Sequence, residues 1–157
     1  MAGLYIHIPF CRSKCAYCDF YSSPRQADTD GYIDAVLGEF DLRADEIYER
    51  YTTLYIGGGT PSILSPQSLD RLLNGINRRA DISGMKEVTI EGNPEDITPE
   101  SLSLYANLGI NRVSIGVQSF NDASLSAIGR RHSSQAAYKA LDALATSGMN
   151  YNADLIY

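Results

Sequence analysis

Three cysteines are the residues of this sequence best suited to bind a metal. Cys11, Cys15 and Cys18 are its only cysteines, and the spacing C-x3-C-x2-C places them within the segment "CRSKCAYC". Thiolates are soft ligands, and clustered thiolates hold iron–sulfur clusters or zinc. Because an odd number of thiols in one loop fits disulfide pairing poorly, the pattern indicates a reducing compartment.

The spacing of the cysteines favours an iron–sulfur cluster over zinc. A closed structural zinc site needs four ligands, and the nearby candidate for the fourth is His7. Three cysteines alone leave one position open, and an open position is where a cluster or metal meets a substrate. A zinc-stabilised structural domain and unliganded thiols remain the alternatives.

A glycine-rich segment and several polar residues are further candidates for ligand contact. The segment "GGGT", residues 57–60, follows an apolar run, and its glycines would let the backbone approach a ligand, although an ordinary turn is the alternative. Glu91, Gln118 and Asp154 lie at or near the ends of apolar runs, where parallel sheets and barrels place their sites. Each alone is typical of a structural polar group, and His132 is predicted to be a capping or surface histidine.

Apolar runs alternate with helical patterns along the chain, which predicts an α/β fold with a parallel sheet. The strands are predicted at residues 4–8, 53–56, 87–91, 112–118 and 151–156. The helices are predicted at residues 30–48, from 66 onward, from 99 to the stop at Gly109, and 135–147.

The predicted strands alternate between apolar and polar residues. In the fourth strand Val113, Ile115 and Val117 oppose Ser114, Gly116 and Gln118, and in the first strand Tyr5 and His7 share the polar face. A parallel sheet buried on both faces would be apolar throughout. The alternation therefore predicts a barrel-like sheet around a wet or ligand-filled cavity, with a doubly wound sheet as the alternative.

Composition and charge narrow the class of protein. The chain of 157 residues has a net charge of −6 and no Lys- or Arg-rich run, which argues against binding nucleic acid. It contains no apolar stretch of membrane-spanning length and no signal-peptide pattern, so we expect a cytoplasmic protein. It ends on the fifth strand without Lys or Pro to protect that edge, so we expect residues 1–157 to be the amino-terminal part of a longer barrel domain.

Six ordered motifs carry a resemblance to a known family. "CRSKCAYC", with its aromatic residue before the third cysteine, resembles the cluster loop of the radical S-adenosylmethionine superfamily. "YIHIPFC", "GGGTPS", "EGNP", "GVQSF" and "GRRH" resemble the oxygen-independent coproporphyrinogen III oxidase-like family within it. The resemblance implies a partial TIM-type barrel, of which about five strands are present.

The same resemblance implies cofactors and the residues that bind them. A [4Fe-4S] cluster would be held by Cys11, Cys15 and Cys18, and its fourth iron would bind the amino and carboxylate groups of S-adenosylmethionine. The implied contacts to S-adenosylmethionine are Tyr5, Tyr17, Gly58, Gly59, Thr60, Glu91, Gln118, Arg130 and Asp154.

Two features resemble the HemW-type branch, whose members are heme chaperones. Phe20 stands where the coproporphyrinogen-decarboxylating members carry a further cysteine, and the chain enters its first strand at Leu4 without their amino-terminal extension. The resemblance thus implies heme or a porphyrinogen, an electron donor and a heme-accepting protein as partners. The enzyme alternatives are a coproporphyrinogen III oxidase and a heme-modifying radical methyltransferase.

Overall fold

Five parallel strands form one sheet whose spatial order follows the order of the chain. The computed structural model describes residues 2–23, 28–43 and 50–157. The strands are β1 (Ala2–Ile8), β2 (Tyr51–Gly58), β3 (Glu87–Gly92), β4 (Arg112–Gln118) and β5 (Asn150–Leu155).

Helices connect the strands of the sheet. They are α1 (Thr29–Leu42), α2 (Pro66–Ala80), α3 (Pro99–Asn107), α4 (Asp122–Ala127) and α5 (Ser134–Ser147). Short 3-10 turns at Pro61–Ile63 and Pro94–Asp96 follow β2 and β3. Side chains cap the helices as their sequences predict: Ser65 accepts from the backbone of Ser68, and Thr98 forms a capping box with Ser101.

The sequential strand order decides between the two predicted architectures. A doubly wound sheet reverses its strand order at a switch point, whereas a barrel adds each strand beside the previous one. The order β1-β2-β3-β4-β5 follows the second pattern. The prediction of a parallel-stranded partial TIM-type barrel is therefore confirmed.

The elements differ from the sequence predictions mainly at their ends. Strand β2 continues through Gly57 and Gly58, which pair with His7 and Ile8 of β1. Helix α1 ends at Leu42, and residues 44–49, where the prediction continued it, lie outside the described residues. The short helix α4 was not predicted, although Asn121 is a good N-cap residue.

One face of the sheet is apolar and packs against the helices. Its buried side chains are Ile6, Ile8, Leu54, Ile56, Val88, Ile90, Val113, Ile115 and Val117. They meet Ile33 and Leu37 of α1 and the apolar stripe of α2 in one continuous core. The opposite face carries the polar members of the alternation, so the predicted division into two faces is confirmed for β1 to β4. On β5, Ala153 and Leu155 were predicted on the apolar face but are exposed.

None of the helices in the described part of the chain is long and apolar enough to cross a membrane. The cytoplasmic location stays a prediction.

Burial on the apolar face predicts how leucine substitutions affect stability. Leu72 is fully buried on α2, and Leu42, at the end of α1, is 87% exposed. We expect Leu72→Ala to lower the free energy of unfolding by about 2–5 kcal/mol, because it removes buried methyl groups and leaves a cavity. Leu42→Ala is the matched control and should change it by less than about 0.5 kcal/mol in the same urea titration. Equal losses in the two variants would contradict this description of the core.

Candidate functional site

The predicted site residues meet in one pocket at the carboxyl ends of the strands. The pocket is lined by the loop that carries the three cysteines and by residues following β2, β3 and β4. The predicted site residues in its lining are Cys11, Cys15, Tyr17, Cys18, Gly58, Gly59, Thr60, Glu91, Gln118, Arg130 and Asp154. They are far apart in sequence, and the parallel sheet brings them together because its strands end at the same edge.

Tyr5 is the predicted site residue that lies outside this pocket lining. Its side chain is 53% exposed on the polar face of the sheet. The Tyr5 ring stacks against Tyr55 at a centroid distance of 6.0 Å, and its hydroxyl lies 3.2 Å from His7 Nδ1. Its contact with a ligand stays a prediction.

Backbone hydrogen bonds anchor the loop that carries the cysteines. Gly59 N donates to Ile8 O (2.8 Å), and Thr60 N donates to Phe10 O (2.7 Å), which ties the start of the loop to the end of β2. Ala16 N donates to Ile128 O (3.0 Å) and ties the middle of the loop to the end of α4. The loop is thus fixed to two different parts of the sheet edge.

A side-chain contact provides a third anchor for this loop. Arg12 forms an ion pair with Asp96 in the turn after β3. The other oxygen of the Asp96 carboxylate accepts from Ser62 Oγ (2.8 Å), in the turn after β2. The loop is therefore held by the strand ends that also line the pocket.

Two glycines at the end of β2 and directly after it, Gly58 and Gly59, are required by close packing. Gly58 has a φ of +116°, and a Cβ there would lie 2.6 Å from the ring of His7. A Cβ at Gly59 would lie 2.6 Å from Phe10 O and 3.0 Å from Cys11 Sγ. The glycine-rich segment therefore makes room for His7 and for the start of the cysteine loop. Its backbone N–H groups at residues 58–60 bond to Glu91, Ile8 and Phe10.

Polar side chains form a hydrogen-bonded belt between two of the cysteines. Cys11 Sγ lies 3.4 Å from Thr60 Oγ1, which also accepts from Asn93 Nδ2 (3.4 Å). Asn93 Oδ1 accepts from Arg130 Nη2 (2.7 Å), and Arg130 Nη1 points at Cys15 Sγ from 3.7 Å. The belt thus connects the cysteine loop to the turns after β2 and β3 and to Arg130. Sequence reasoning missed Asn93, although it lies within the "EGNP" motif.

The pocket carboxylate of Glu91 is held by two donors. Tyr55 Oη donates to its Oε1 (2.8 Å), and Gly58 N donates to its Oε2 (3.0 Å). Burial and the neighbouring carboxylate raise the pKa of Tyr55 to about 12, which keeps this hydroxyl protonated as a donor at neutral pH. Tyr55 was not predicted as a site residue, although its position in β2 places it on the polar face.

Gln118 has an unusual backbone conformation at the end of β4. Its φ of +64° lies in the left-handed region, where a non-glycine residue costs about 1–3 kcal/mol. The register of β4 with β5 shifts between Gly116 and Gln118. This irregularity is located at the pocket, and the side-chain alternation used in the prediction does not reveal it.

The prediction for His132 is wrong. Its side chain is buried, and Nε2 donates to Val117 O (3.0 Å), which fixes the histidine beneath the end of β4. Burial and the positive charge of Arg130 lower the pKa of His132. Its Nδ1 faces Glu95 Oε2 at 3.7 Å, and neither atom has a hydrogen-bond partner in the described part of the structure.

The arrangement of possible metal ligands does not match a single ion. Across residues 2–23, 28–43 and 50–157, no three His, Cys, Asp or Glu side chains are grouped as ligands of one metal. Thiolates on one zinc lie ~2.3 Å from it and therefore close to one another, whereas thiolates on separate irons of a cluster are spaced more widely. His7, the candidate fourth zinc ligand, is engaged by Tyr5 Oη and by Tyr21 O (3.1 Å). His7 would have to give up these contacts to serve as the fourth ligand of a zinc ion.

Comparison with known proteins identifies the family. Residues 5–157 match the model of the radical SAM superfamily. The heme chaperone HemW of Lactococcus lactis is 43% identical over 155 residues, which cover 98% of this chain and 40% of that protein. HemW of Escherichia coli is 38% identical, covering 99% of this chain and 42% of that protein. The chain thus spans about two fifths of the length of these relatives.

Solved structures agree with the fold. Coproporphyrinogen III oxidase (HemN) from Escherichia coli, described as a radical SAM enzyme, superimposes with a TM-score of 0.87 at 30% identity, covering 99% of this chain and 37% of that one. The radical S-adenosylmethionine methyltransferase TsrM from Kitasatospora setae superimposes with a TM-score of 0.66 at 15% identity, covering 100% and 31%. The second comparison supports the fold alone.

The two donors on Glu91 predict the effect of removing one of them. We expect Tyr55→Phe to lower the free energy of unfolding by about 1 kcal/mol, because a half-buried carboxylate loses a donor. Tyr138→Phe is the control, since Tyr138 is exposed and its hydroxyl has no hydrogen-bond partner within the described ranges. Both are measured by urea unfolding at neutral pH. If Tyr55→Phe costs as much in a Glu91→Ala background, which removes the acceptor, the Tyr55–Glu91 bond is not the cause.

Proposed function

This chain belongs to the radical S-adenosylmethionine superfamily, and we propose from that membership that it is the cofactor-binding part of a heme chaperone. Membership implies a [4Fe-4S] cluster and S-adenosylmethionine. The finer assignments proposed below are the residues that bind each group, the binding of heme by the whole protein, and the role of residues 1–157 as the amino-terminal part of a radical SAM core domain.

The residues of the pocket fit an iron–sulfur cluster. Cys11, Cys15 and Cys18 are free thiols that line one cavity, and soft thiolates are the ligands that iron–sulfur clusters require. Gly59 leaves the space beside Cys11 open, since a side chain there would collide with the sulfur of Cys11. We assign the three cysteines as the cluster ligands.

The other side of the pocket suits a zwitterionic, positively charged ligand. Glu91 and Asp154 supply carboxylates that accept hydrogen bonds from an amine or from ribose hydroxyls. Gly58, Gly59 and Thr60 form the pocket wall beside Cys11, and Gln118, Tyr17 and Arg130 complete the lining. This mixture fits S-adenosylmethionine, which carries a sulfonium, an amine, a carboxylate and a ribose.

Arg130 fits the carboxylate end of that ligand. Its Nη atoms contact Asn93, Gly116 O and Cys15, while its buried Nε has no partner in the described residues. Arginine binds carboxylates through adjacent N–H donors, so a free Nε beside the cysteine loop is a donor available to a ligand carboxylate. Tyr5, outside the pocket lining, is proposed to contact the ligand only at its periphery.

When bound, the cluster supplies the electron that cleaves S-adenosylmethionine in this superfamily. The protein's own residues bind the two groups side by side, orient them and limit the access of water. The observation that carries the proposal is the convergence of the three thiols and the predicted ligand contacts in one pocket at the strand ends.

The heme chaperone branch is favoured by the relatives and by Phe20. Several relatives of 37–43% identity are named heme chaperone HemW. Phe20, which lines the pocket, takes the place of the further cysteine that marks the decarboxylating branch. The structural similarity to HemN keeps a porphyrinogen oxidase as the second candidate, and a heme-modifying methyltransferase is a third. An electron donor and a heme-accepting protein are proposed as partners.

The cysteine assignment predicts the iron content of reconstituted protein. Anaerobic reconstitution should load about four irons and four sulfides per chain, and replacing Cys11, Cys15 and Cys18 together by Ser should abolish loading. Iron and sulfide are measured chemically, with the electronic absorption of the cluster as a second readout. Ser68→Ala is the control, because it changes a buried serine of α2 away from the pocket. It should load iron as the wild type does. Equal iron in the triple variant and the wild type would reject the assignment.

The branch assignment predicts what the whole protein does with tetrapyrroles. Incubated anaerobically with cluster, S-adenosylmethionine and reductant, it should leave coproporphyrinogen III unconverted and should bind heme without altering it. The physical reason is that catalysis requires the substrate to be oriented by groups remote from the reacting carbon, and Phe20 replaces one polar group of the oxidase branch. Mass spectrometry of the products accompanies a heme titration of the same preparation. Stoichiometric decarboxylated product would favour the oxidase, and methylated heme the methyltransferase.

A further inference from the structure

An arginine side chain lies across three strands on the polar face of the sheet. Arg112, at the start of β4, donates from Nη1 to Thr89 Oγ1 (3.3 Å) and lies 3.4 Å from Glu87 Oε1, both on β3. From Nη2 it donates to Asn152 Oδ1 on β5 (2.6 Å). Neither Arg112 nor Asn152 belongs to the pocket lining.

The arginine determines which way the Asn152 amide faces. Arginine has only donors, so the Asn152 atom that meets Arg112 must be the oxygen. The amide nitrogen therefore faces the other way, where it donates to Ser114 Oγ (3.1 Å) and to Asp154 Oδ1 (3.0 Å). An amide turned by 180° would set its nitrogen against a guanidinium and its oxygen against a carboxylate, and both contacts are repulsive.

The oriented amide fixes the carboxylate of Asp154. Oδ1 of Asp154 accepts from Asn152, and Oδ2 accepts from Ser114 Oγ (3.4 Å). Asp154 is itself exposed on β5, so its carboxylate would rotate freely without these two donors. Holding a binding group in its bound orientation before the ligand arrives lowers the entropic cost of binding.

We propose that Arg112 is a positioning residue for S-adenosylmethionine binding: through Asn152, it orients the Asp154 carboxylate at the pocket. This chain of hydrogen bonds has only one possible direction. Arg112 can only donate, the Asn152 amide both accepts and donates, and the Asp154 carboxylate can only accept. It rests on the proposed function, because it takes Asp154 as a ligand contact.

The first test is a set of binding measurements on the whole protein with its cluster reconstituted anaerobically. S-adenosylmethionine affinity is measured by equilibrium dialysis, per folded and cluster-loaded molecule. We expect Asp154→Asn, Arg112→Met and Asn152→Ala each to weaken binding about tenfold. Arg112→Lys keeps a donor and a charge and should retain most of the affinity. Arg78→Met, which removes an exposed charge on α2, is the control and should bind as the wild type does.

Double variants distinguish the relay from a general loss of structure. If Arg112 acts through Asp154, Arg112→Met should cause no further loss in an Asp154→Asn background. A tenfold loss that persists in that background would overturn the relay, because Arg112 would then act by another route.

The variant Asn152→Asp tests the orientation of Asp154 separately from the hydrogen bond that joins Arg112 to residue 152. It keeps an oxygen acceptor for Arg112, so the thermal unfolding midpoint should be preserved, but it replaces the amide donor with an oxygen that repels Asp154. We expect binding to weaken at least tenfold. Wild-type affinity in Asn152→Asp would overturn the relay.

A wild-type protein that loads its cluster and binds no S-adenosylmethionine would instead overturn the proposed function. Tight binding that is unaffected by Asp154→Asn would remove Asp154 from the site.

Discussion

The close approach of two backbone segments is the contact on which the pocket depends. Residues 8–10, leading out of β1, lie directly against residues 58–60, leading out of β2, and two N–H···O bonds join them. A side chain at position 58 would collide with His7 of β1, and one at position 59 would collide with Phe10 O and Cys11 Sγ. The cysteine loop and the segment 58–60 are therefore one unit, held together by the pairing of the first two strands.

The alternation of side chains along the strands stabilises the sheet on which this unit is built. The outward face supplies the apolar core that holds the sheet together, and the inward face is left to polar groups. Buried polar groups are costly unless they are paired, so the inward face is organised into hydrogen-bonded chains such as those around Glu91 and Asp154. The same pairing that avoids this cost aims carboxylates into the pocket.

Much of this arrangement could be predicted from the sequence, because it follows from simple repeats. The period of two in β4 predicted the two faces, the spacing of the cysteines predicted the ligand loop, and ordered motifs at the strand ends predicted which residues share the pocket. The contact of each of these residues with a ligand, and the role of Tyr5, stay predictions.

The remaining features depend on three-dimensional contacts that no local pattern encodes. Tyr55 and Asn93 read as ordinary strand and turn residues, and their roles arise from the partners that the fold brings to them. The sequence predicts a surface histidine at His132 because it follows two arginines. In the structure its side chain is buried and donates to the carbonyl of Val117. Helix α4 is too short for its periodicity to stand out.

The left-handed backbone of Gln118 has a consequence for engineering this fold toward heat resistance. Glycine adopts that conformation without steric cost, so a screen for thermostable variants would select Gln118→Gly. The gain would be offset in part by the greater freedom of glycine in the unfolded chain. The same change would erase a side chain from the pocket wall, so the variant that best survives heating would be a poor choice for retaining the ligand.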